Sequence, residues 1–399
     1  MGYRALPWLG ALVSPTDPAR AGDVHCLAIP TPFAVGRVNC YLIEDDPLTL
    51  LDAGPNSATS LTALEVALQN HGHRVEDLER IVVTHQHIDH IGLVEILAKR
   101  SGAEVCALDL LAPWLADYKH QMEENDSFSA EIMLRNGIPQ DIVYALRAVS
   151  ASFRAWGAVA HVTRPLAGGA LLEFASRSWR VLHRPGHSPS DTVFWDEASG
   201  ELFGGDHLIK HISSNPLLSK PLVPLSPGGA RGDGKRGIKP LVPLSPGRAR
   251  GDENEEIKPL ERALHMREGT VREKEERQPF GCMTPKRQHA LMVYMDSLRL
   301  TRELDLEVVY AGHGEPVEDH RTLIDERFAM HERRANKLYG LIAARPRNAY
   351  ELAQEMWGNV AVTQAFLTLS EVLGHVDLLI DEDRVAEREA DGVVHFEAT

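Results

Sequence analysis

Short runs of aliphatic and β-branched residues, each closed by Gly, Pro or Asp, alternate along the N-terminal half of the chain with stretches of helical period. Val24 to Ile29, Val38 to Ile43 and Leu48 to Leu51 read as strands, the last stopped by Asp52-Ala53-Gly54-Pro55, because Gly and Pro punctuate a strand where the chain must turn. Ser60 to Asn70 places Leu61, Leu64, Ala67 and Leu68 on one face, the spacing of an amphipathic helix. The apolar strand Ile81 to Val83 ends in a histidine-rich turn; a helix from Gly92 to Lys99 and a strand from Glu104 to Leu108 follow. A helical region then spans Leu111 to Trp156, interrupted at Gly137 and Pro139. Leu171 to Phe174, Trp179 to His183, Thr192 to Trp195, Leu202 to Gly205 and, much later, Leu306 to Tyr310 read as further strands, so an α/β fold is expected.

Between the last two strands the pattern fails. Pro-Leu-Val-Pro-Leu-Ser-Pro-Gly at 221–228 recurs at 240–247, a tandem duplication. Residues 220–256 lack the apolar periodicity needed to offset their ordering entropy and are expected to form a mobile surface insertion. After Pro316 a helix from Arg321 to Ala343 leads into Tyr350 to Met356, Val362 to Leu373, Val376 to Ile380 and Val393 to Phe396. Two or three helices followed by a small hairpin suggest a winged-helix-like module. The expected organisation is a large domain over residues 1–330, with insertions at 111–156 and 220–256, and a winged-helix-like domain over 331–399.

Composition narrows the field. With 43% hydrophobic and 25% charged residues among 399, global disorder and a coiled coil are excluded. The net charge of −15 repels polyanions, and residues 331–399 carry 7 Lys and Arg against 12 Asp and Glu, so nucleic acid is not the expected partner of either domain. A small-molecule substrate fits better, and the C-terminal module is expected to serve packing or homodimer formation. No run reaches the ~18 apolar residues of a membrane span, and the stretch from Ala5 to Val13 is broken by Pro7; a cytoplasmic protein without membrane association is expected. Cys26, Cys40, Cys106 and Cys282 form no close pair and are expected to be buried reduced thiols.

The chemistry concentrates in His85-Gln86-His87-Ile88-Asp89-His90, where four ligand-type side chains occupy six positions between a strand and a helix. In an extended turn, residues two apart point the same way, so His85 and His87 can grip one cation while Asp89 and His90 turn toward a second point nearby. The alternative is a solvated histidine-rich turn. Against it, three more ligand-type residues follow strands: His187 in Arg-Pro-Gly-His-Ser-Pro, Asp206 in Phe-Gly-Gly-Asp-His, and His313 in Tyr-Ala-Gly-His-Gly-Glu. Loops at the ends of a rigid sheet are where such groups can be made to converge.

This set resembles the metallo-β-lactamase superfamily over residues 24–320, through Asp52, the cluster from His85 to His90, His187, Asp206 and His313. The resemblance implies an αββα sandwich with a two-metal site at one edge. It places His85, His87 and His187 on the first metal, Asp89, His90 and His313 on the second, and Asp206 between them. Asp52 would orient a histidine ligand or the metal water. Imidazoles with carboxylates suit two Zn²⁺, although iron or manganese in one position also fits the ligand types. Relatives that reduce oxygen at a di-iron centre resemble His-x-Glu-x-Asp-His, whereas this chain has His87 at the third position, which favours hydrolysis. A water shared by two cations loses its proton near pH ~7 and can attack a carbonyl carbon. Asp89 and Asp52 are the carboxylates expected to act in the reaction, with His211, His207 or Tyr310 as candidate oxyanion donors and His211 preferred.

The resemblance narrows at Gly205-Asp-His-Leu, at His211-Ile-Ser-Ser-Asn-Pro216 and in the C-terminal module to hydroxyacylglutathione-hydrolase-like and lactamase-beta-like proteins. Superfamily substrates include thioesters, lactones, β-lactams and RNA, so the fold alone does not choose. Trp114, Tyr118, Met122, Phe128, Met133, Tyr144, Phe153 and Trp156 make the 111–156 insertion apolar and aromatic. It is expected to cover the site and to suit an acyl chain. A metal-dependent hydrolase acting on a small acyl thioester or ester is the expected function; an RNA or DNA phosphodiesterase and a lactonase or β-lactam hydrolase are the alternatives.

Overall fold

The computed structural model describes residues 24–222, 287–359 and 364–399. Most of the duplicated segment, Cys282, the first residues of the Val362 helix and the Ala5 to Val13 stretch lie outside the described residues. In chain order the N-terminal part comprises β1 (Val24–Ile29), β2 (Val38–Ile43), β3 (Thr49–Leu51), α1 (Ala58–Asn70), β4 (Arg80–Val82), α2 (Ile88–Ile91), α3 (Val94–Ser101) and β5 (Glu104–Leu108). The helical region follows as α4 (Ala112–Ala116), α5 (Tyr118–Arg135) and α6 (Gln140–Phe153), then β6 (Arg164–Leu166). These strands form one six-stranded sheet in the order β1-β2-β3-β4-β5-β6, antiparallel up to β3 and parallel beyond it. A second, five-stranded sheet has the order β11-β10-β9-β8-β7, built from β7 (Leu171–Glu173), β8 (Ser178–His183), β9 (Thr192–Asp196), β10 (Glu201–Gly205) and β11 (Val308–Ala311).

The two sheets face each other across a core to which Tyr41, Ile43, Leu51 and Val82 contribute from one side and Trp179, Val181, Phe194 and Phe203 from the other. Leu50, Ile81 and Val105 on the outer face of the first sheet pack against Leu64, Leu68, Val94 and Leu97 of α1 and α3. Val193, Leu202 and Val309 on the outer face of the second pack against Leu291, Tyr294 and Leu298 of α7 (Ala290–Arg302) and Leu323 and Ile324 of α8 (His320–Ala344). Helices therefore cover both outer faces, and each strand with two buried faces reads as a nearly continuous apolar run. α1 begins where the Ser57 side chain accepts a hydrogen bond from the Ser60 amide at 3.0 Å.

The C-terminal part continues with β12 (Arg347–Asn348), α9 (Ala349–Trp357), α10 (Ala365–Asp381), β13 (Val385–Ala390) and β14 (Val393–Ala398), the strands ordered β12-β14-β13. Val376 to Ile380 belongs to α10 and not to the hairpin. Leu369, Val372, Leu373, Val376 and Leu379 keep one buried helical face, and Gly374 marks a close helix contact: a Cβ there would stand 2.8 Å from Leu291 Cβ. α5 and α6 separate at Gly137, whose φ is +88°, and Pro139 precedes α6. Ala130, Ile132, Met133, Ile138 and Val143 from this helical region share a core with Leu338, Leu352, Leu373 and Phe396 of the C-terminal part. Of the aromatic set, Trp114 and Tyr118 are buried in the core beneath the first sheet, whereas Tyr144 and Phe153 are exposed. Cys40 and Cys106 are buried, but Cys26 is exposed, since β1 is an edge strand with outward positions. Among the described residues no helix is long and apolar enough to cross a membrane.

Trp179 is 0% exposed and touches Phe174, Phe194 and Phe203. Trp179→Ala is expected to destabilise the fold by about 3–5 kcal/mol in chemical denaturation; a loss below ~1 kcal/mol would show that the inter-sheet core is not the main source of stability.

Candidate metal centre

All the ligand-type residues stand where strands of the two sheets end on the same edge. β3 runs into Asp52, held in the left-handed region at φ +58°, and β4 runs into the His85 to His90 segment, whose last part is the short helix α2. β8 leads to His187, β10 to Asp206 and β11 to His313. The β10–β11 register shifts between Phe203 and Gly205, and the irregularity turns Asp206 out of the ladder.

The side chains meet in two adjoining groups, His85, His87, His187 and Asp206 in one and Asp89, His90 and His313 in the other, with the ligand atoms of each within 4.8 Å of one another. His87 Nδ1 is 3.1 Å from His85 Nε2 and 2.9 Å from His187 Nε2. Asp206 reaches both groups: one oxygen is 3.5 Å from His90 Nε2, the other 3.5 Å from His187 Nε2 and 3.5 Å from His313 Nε2. Asp89 stands 3.4 Å from His313 Nε2. His90 Nε2, His313 Nε2 and one Asp206 oxygen are buried and have no hydrogen-bond partner. Nitrogens at such spacings, near the ~3.3 Å edge of a tetrahedron with ~2.0 Å bonds, fit a shared cation.

The outer nitrogens are fixed from behind. His90 Nδ1 donates to Asp52 at 2.7 Å, and Asp52 also accepts from the amide and hydroxyl of Thr84 at 2.9 and 2.8 Å. His187 Nδ1 donates to the Asn215 carbonyl at 3.1 Å, and His313 Nδ1 to the Arg37 carbonyl at 2.7 Å. A carbonyl can only accept, so Nδ1 of both rings carries a proton and Nε2 is the atom turned toward the cluster.

A model of the metallo-beta-lactamase superfamily matches residues 34–313, more than half of the chain. The chain belongs to this superfamily. It is 28% identical over 374 residues to the probable metallo-hydrolase YqjP of Bacillus subtilis, covering 94% of this chain and 97% of that one. Two solved structures share the fold: the metallo-beta-lactamase family protein TTHA1429 of Thermus thermophilus, with a TM-score of 0.66 at 22% identity over 94% of this chain and 99% of that one, and a beta-lactamase domain protein of Burkholderia ambifaria, with 0.68 at 21% over 95% and 93%.

In this superfamily member, burial and the neighbouring imidazoles push His87 down to about 3 and lower His85 well below its ordinary value, so both present neutral rings. Burial also works against charge on His90 and His313, but Asp206 overcomes it together with Asp52 or Asp89; His90 stands well above its usual range and His313 is pushed up to about 9. The acidic surroundings that hold those protons equally favour a divalent cation in their place.

Of the candidate donors, His207 is directed away from the cluster: its Nε2 pairs with Thr301 Oγ1 at 2.8 Å under α7. Tyr310 bonds Glu201 at 3.1 Å inside the sheet core. His211 is exposed and lies against Gly314, next to His313; a Cβ on Gly314 would be 2.6 Å from its ring. Sequence reading missed Asn39, whose side chain donates to the carbonyls of Ala311 and Gly314 at 3.0 and 2.8 Å and so shapes the His313 turn. Its signal is visible: one polar residue in the apolar run Val38 to Ile43. Ser190, which bonds Gln86 and ties the His187 turn to the histidine segment, carries no such signal.

A Cβ on Gly312 would lie 2.3 Å from an Asp206 oxygen and 2.8 Å from His90 Cε1. Gly312→Ala is therefore expected to weaken divalent-cation binding by at least ~10-fold in a chelator competition, and unchanged affinity would contradict this packing. In chelator-treated protein the raised pKa of His313 means its pairing with Asp206 and Asp89 stabilises the fold fully below pH ~6.5 and fades as pH rises through about 9. Zinc added at pH 7 should displace that proton into a weakly buffered solution. Uptake without proton release would refute the assignment.

Proposed function

We propose that the cluster holds two zinc ions and that the chain hydrolyses a small acyl thioester or ester. The observation that carries this reading is the convergence of five imidazoles and two carboxylates, with inward-facing atoms of His90, His313 and Asp206 buried and unpartnered. Similarity along nearly the whole chain to a probable metallo-hydrolase supports it. When bound, a pair of such ions supplies an acidified water, its pKa reduced from 15.7 to about 7, and an electrophile for the carbonyl oxygen.

The chain's own groups do the rest. His85 and His87 offer neutral nitrogens; Asp52 keeps His90 in one tautomer and orientation; Asp89 and Asp206 provide the negative charge that compensates dications in a desolvated site. To His211, exposed beside His313, we assign donation to the developing oxyanion. Phe33 and Phe153 meet edge to face with centroids 5.7 Å apart. The Phe33 loop leads to Arg37, whose carbonyl holds His313, and we assign this aromatic pair to contact with the acyl group. We read the C-terminal helices and hairpin as a winged-helix-like module whose negative charge suits packing rather than phosphate contact.

Asp89→Ala and His187→Ala are each expected to reduce turnover by more than about 100-fold while the far-UV spectrum is retained, since even outer-shell substitutions cost about 10–100-fold. A chelator should do the same until zinc is restored. Purified protein tested on thioester, lactone, β-lactam and phosphodiester panels should prefer the thioester; preference for a phosphodiester would replace this substrate assignment, and full activity of metal-free protein would overturn the hydrolase reading itself.

A further inference from the structure

The segment from Asp206 to Leu222 leaves the second sheet at one ligand-type residue and passes behind another before it meets the C-terminal helices. Each stage is fixed by hydrogen bonds to a different element. Close to its start, the Ser214 hydroxyl donates to the Asp206 carbonyl, and Tyr294 of α7 donates to the His207 carbonyl at 2.8 Å. Arg327 of α8 then gathers three carbonyls with one guanidinium nitrogen: Ile209 at 3.0 Å, Lys210 at 3.0 Å and Ile212 at 3.1 Å. Between those carbonyls lies His211.

Further along, His187 is gripped from two directions: its Nδ1 donates to the Asn215 carbonyl at 3.1 Å, and its own carbonyl accepts from the Leu217 amide at 3.4 Å. The Asn215 side chain in turn donates to the Leu367 carbonyl in the first turn of α10 at 3.1 Å, and the Leu218 amide donates to Ser370 Oγ at 3.3 Å. Leu218 is 1% exposed and sits in the core shared by α8, α9 and α10. At the far end the Lys220 amide and ammonium bond Asn125 and Glu124 of α5 at 3.1 and 2.6 Å.

We infer that this segment is a strap through which the C-terminal helices set the geometry of the metal-binding cluster, with Asn215 and Arg327 as positioning residues. The inference rests on the reading of the cluster as a metal centre. The Asn215 carbonyl selects the His187 tautomer and ring angle, and its position depends on a side-chain bond to α10 that no element of the two-sheet sandwich supplies. Arg327 fixes the backbone on both sides of His211 and the turn leaving Asp206. α10 is thus built into the site through the Asn215 bond, and α8 through Arg327, although neither residue touches a cation. Outer partners of this kind typically alter metal affinity by about 10–100-fold.

Cobalt(II) titration of chelator-treated full-length protein tests this, because its visible absorption reports ligand geometry without requiring a substrate. Asn215→Ala, which keeps the carbonyl but removes the bond to Leu367, and Arg327→Met are each expected to bind cobalt about 10-fold or more weakly and to shift or weaken the absorption band. Arg327→Lys should restore part of the affinity. Far-UV spectra and melting curves of the same samples monitor folding; if Arg327→Met does not fold, Ser370→Ala, which frees the Leu218 amide and removes a donor to the Phe366 carbonyl, is expected to weaken cobalt binding in the same way. Variants that keep the wild-type affinity and band, even with lowered melting temperatures, would show a purely structural strap and overturn the inference. A wild-type chain that binds no cobalt would instead overturn the metal reading on which it stands.

Discussion

Asp206 presents one carboxylate oxygen to His90 and the other to His187 and His313, each at 3.5 Å, in a site where it is only 7% exposed. A buried carboxylate facing three imidazoles is tolerable only if positive charge accompanies it, as protons on those rings or as a cation among them. Without compensating charge, the strand ends of both sheets would carry a cost of several kcal/mol at their meeting point. His90 and His313 follow strands of opposite sheets, so the carboxylate also links the two layers of the sandwich at its edge.

The rest of the fold serves that meeting. The aromatic core of Trp179, Phe194 and Phe203 fixes the separation of the sheets, and with it the distance between the turns that carry His85 to His90 and those that carry His187, Asp206 and His313. Gly312 allows the Asp206 oxygen to approach a backbone that any side chain would push away. Asp52, Asn39, Asn215 and the Arg37 carbonyl hold ligand loops from behind, so the orientation of each ring is set before anything binds. Such preorganisation is what a site on strand ends offers over one on mobile loops.

The residues that converge were legible in the sequence because their types are chemically unusual in turns: His85, His87, Asp89 and His90 within six positions, and His187, Asp206 and His313 each soon after an apolar run. Strand positions were legible for the same reason, since period and Gly-Pro punctuation are local properties. What was not legible depends on tertiary contact. Gly374 looks like the end of a helix, yet α10 continues through it, and the missing side chain makes room for Leu291. His207 has the chemistry of a donor, but only packing under α7 reveals that it faces Thr301. Asn215 lies in the His211 to Pro216 stretch, but its backbone carbonyl on His187 and its side-chain bond to Leu367 are both tertiary contacts, so only the fold reveals what it does.

On the proposed reading, each of the two groups of ligands would hold a metal ion, with Asp206 between the groups. Anomalous diffraction at the zinc absorption edge from zinc-loaded crystals measures this directly. Two adjacent peaks are expected, one among His85, His87 and His187 and one among Asp89, His90 and His313, on either side of the Asp206 carboxylate. Peaks confined to other surfaces of the molecule, or no peak at this edge of the sandwich, would contradict it.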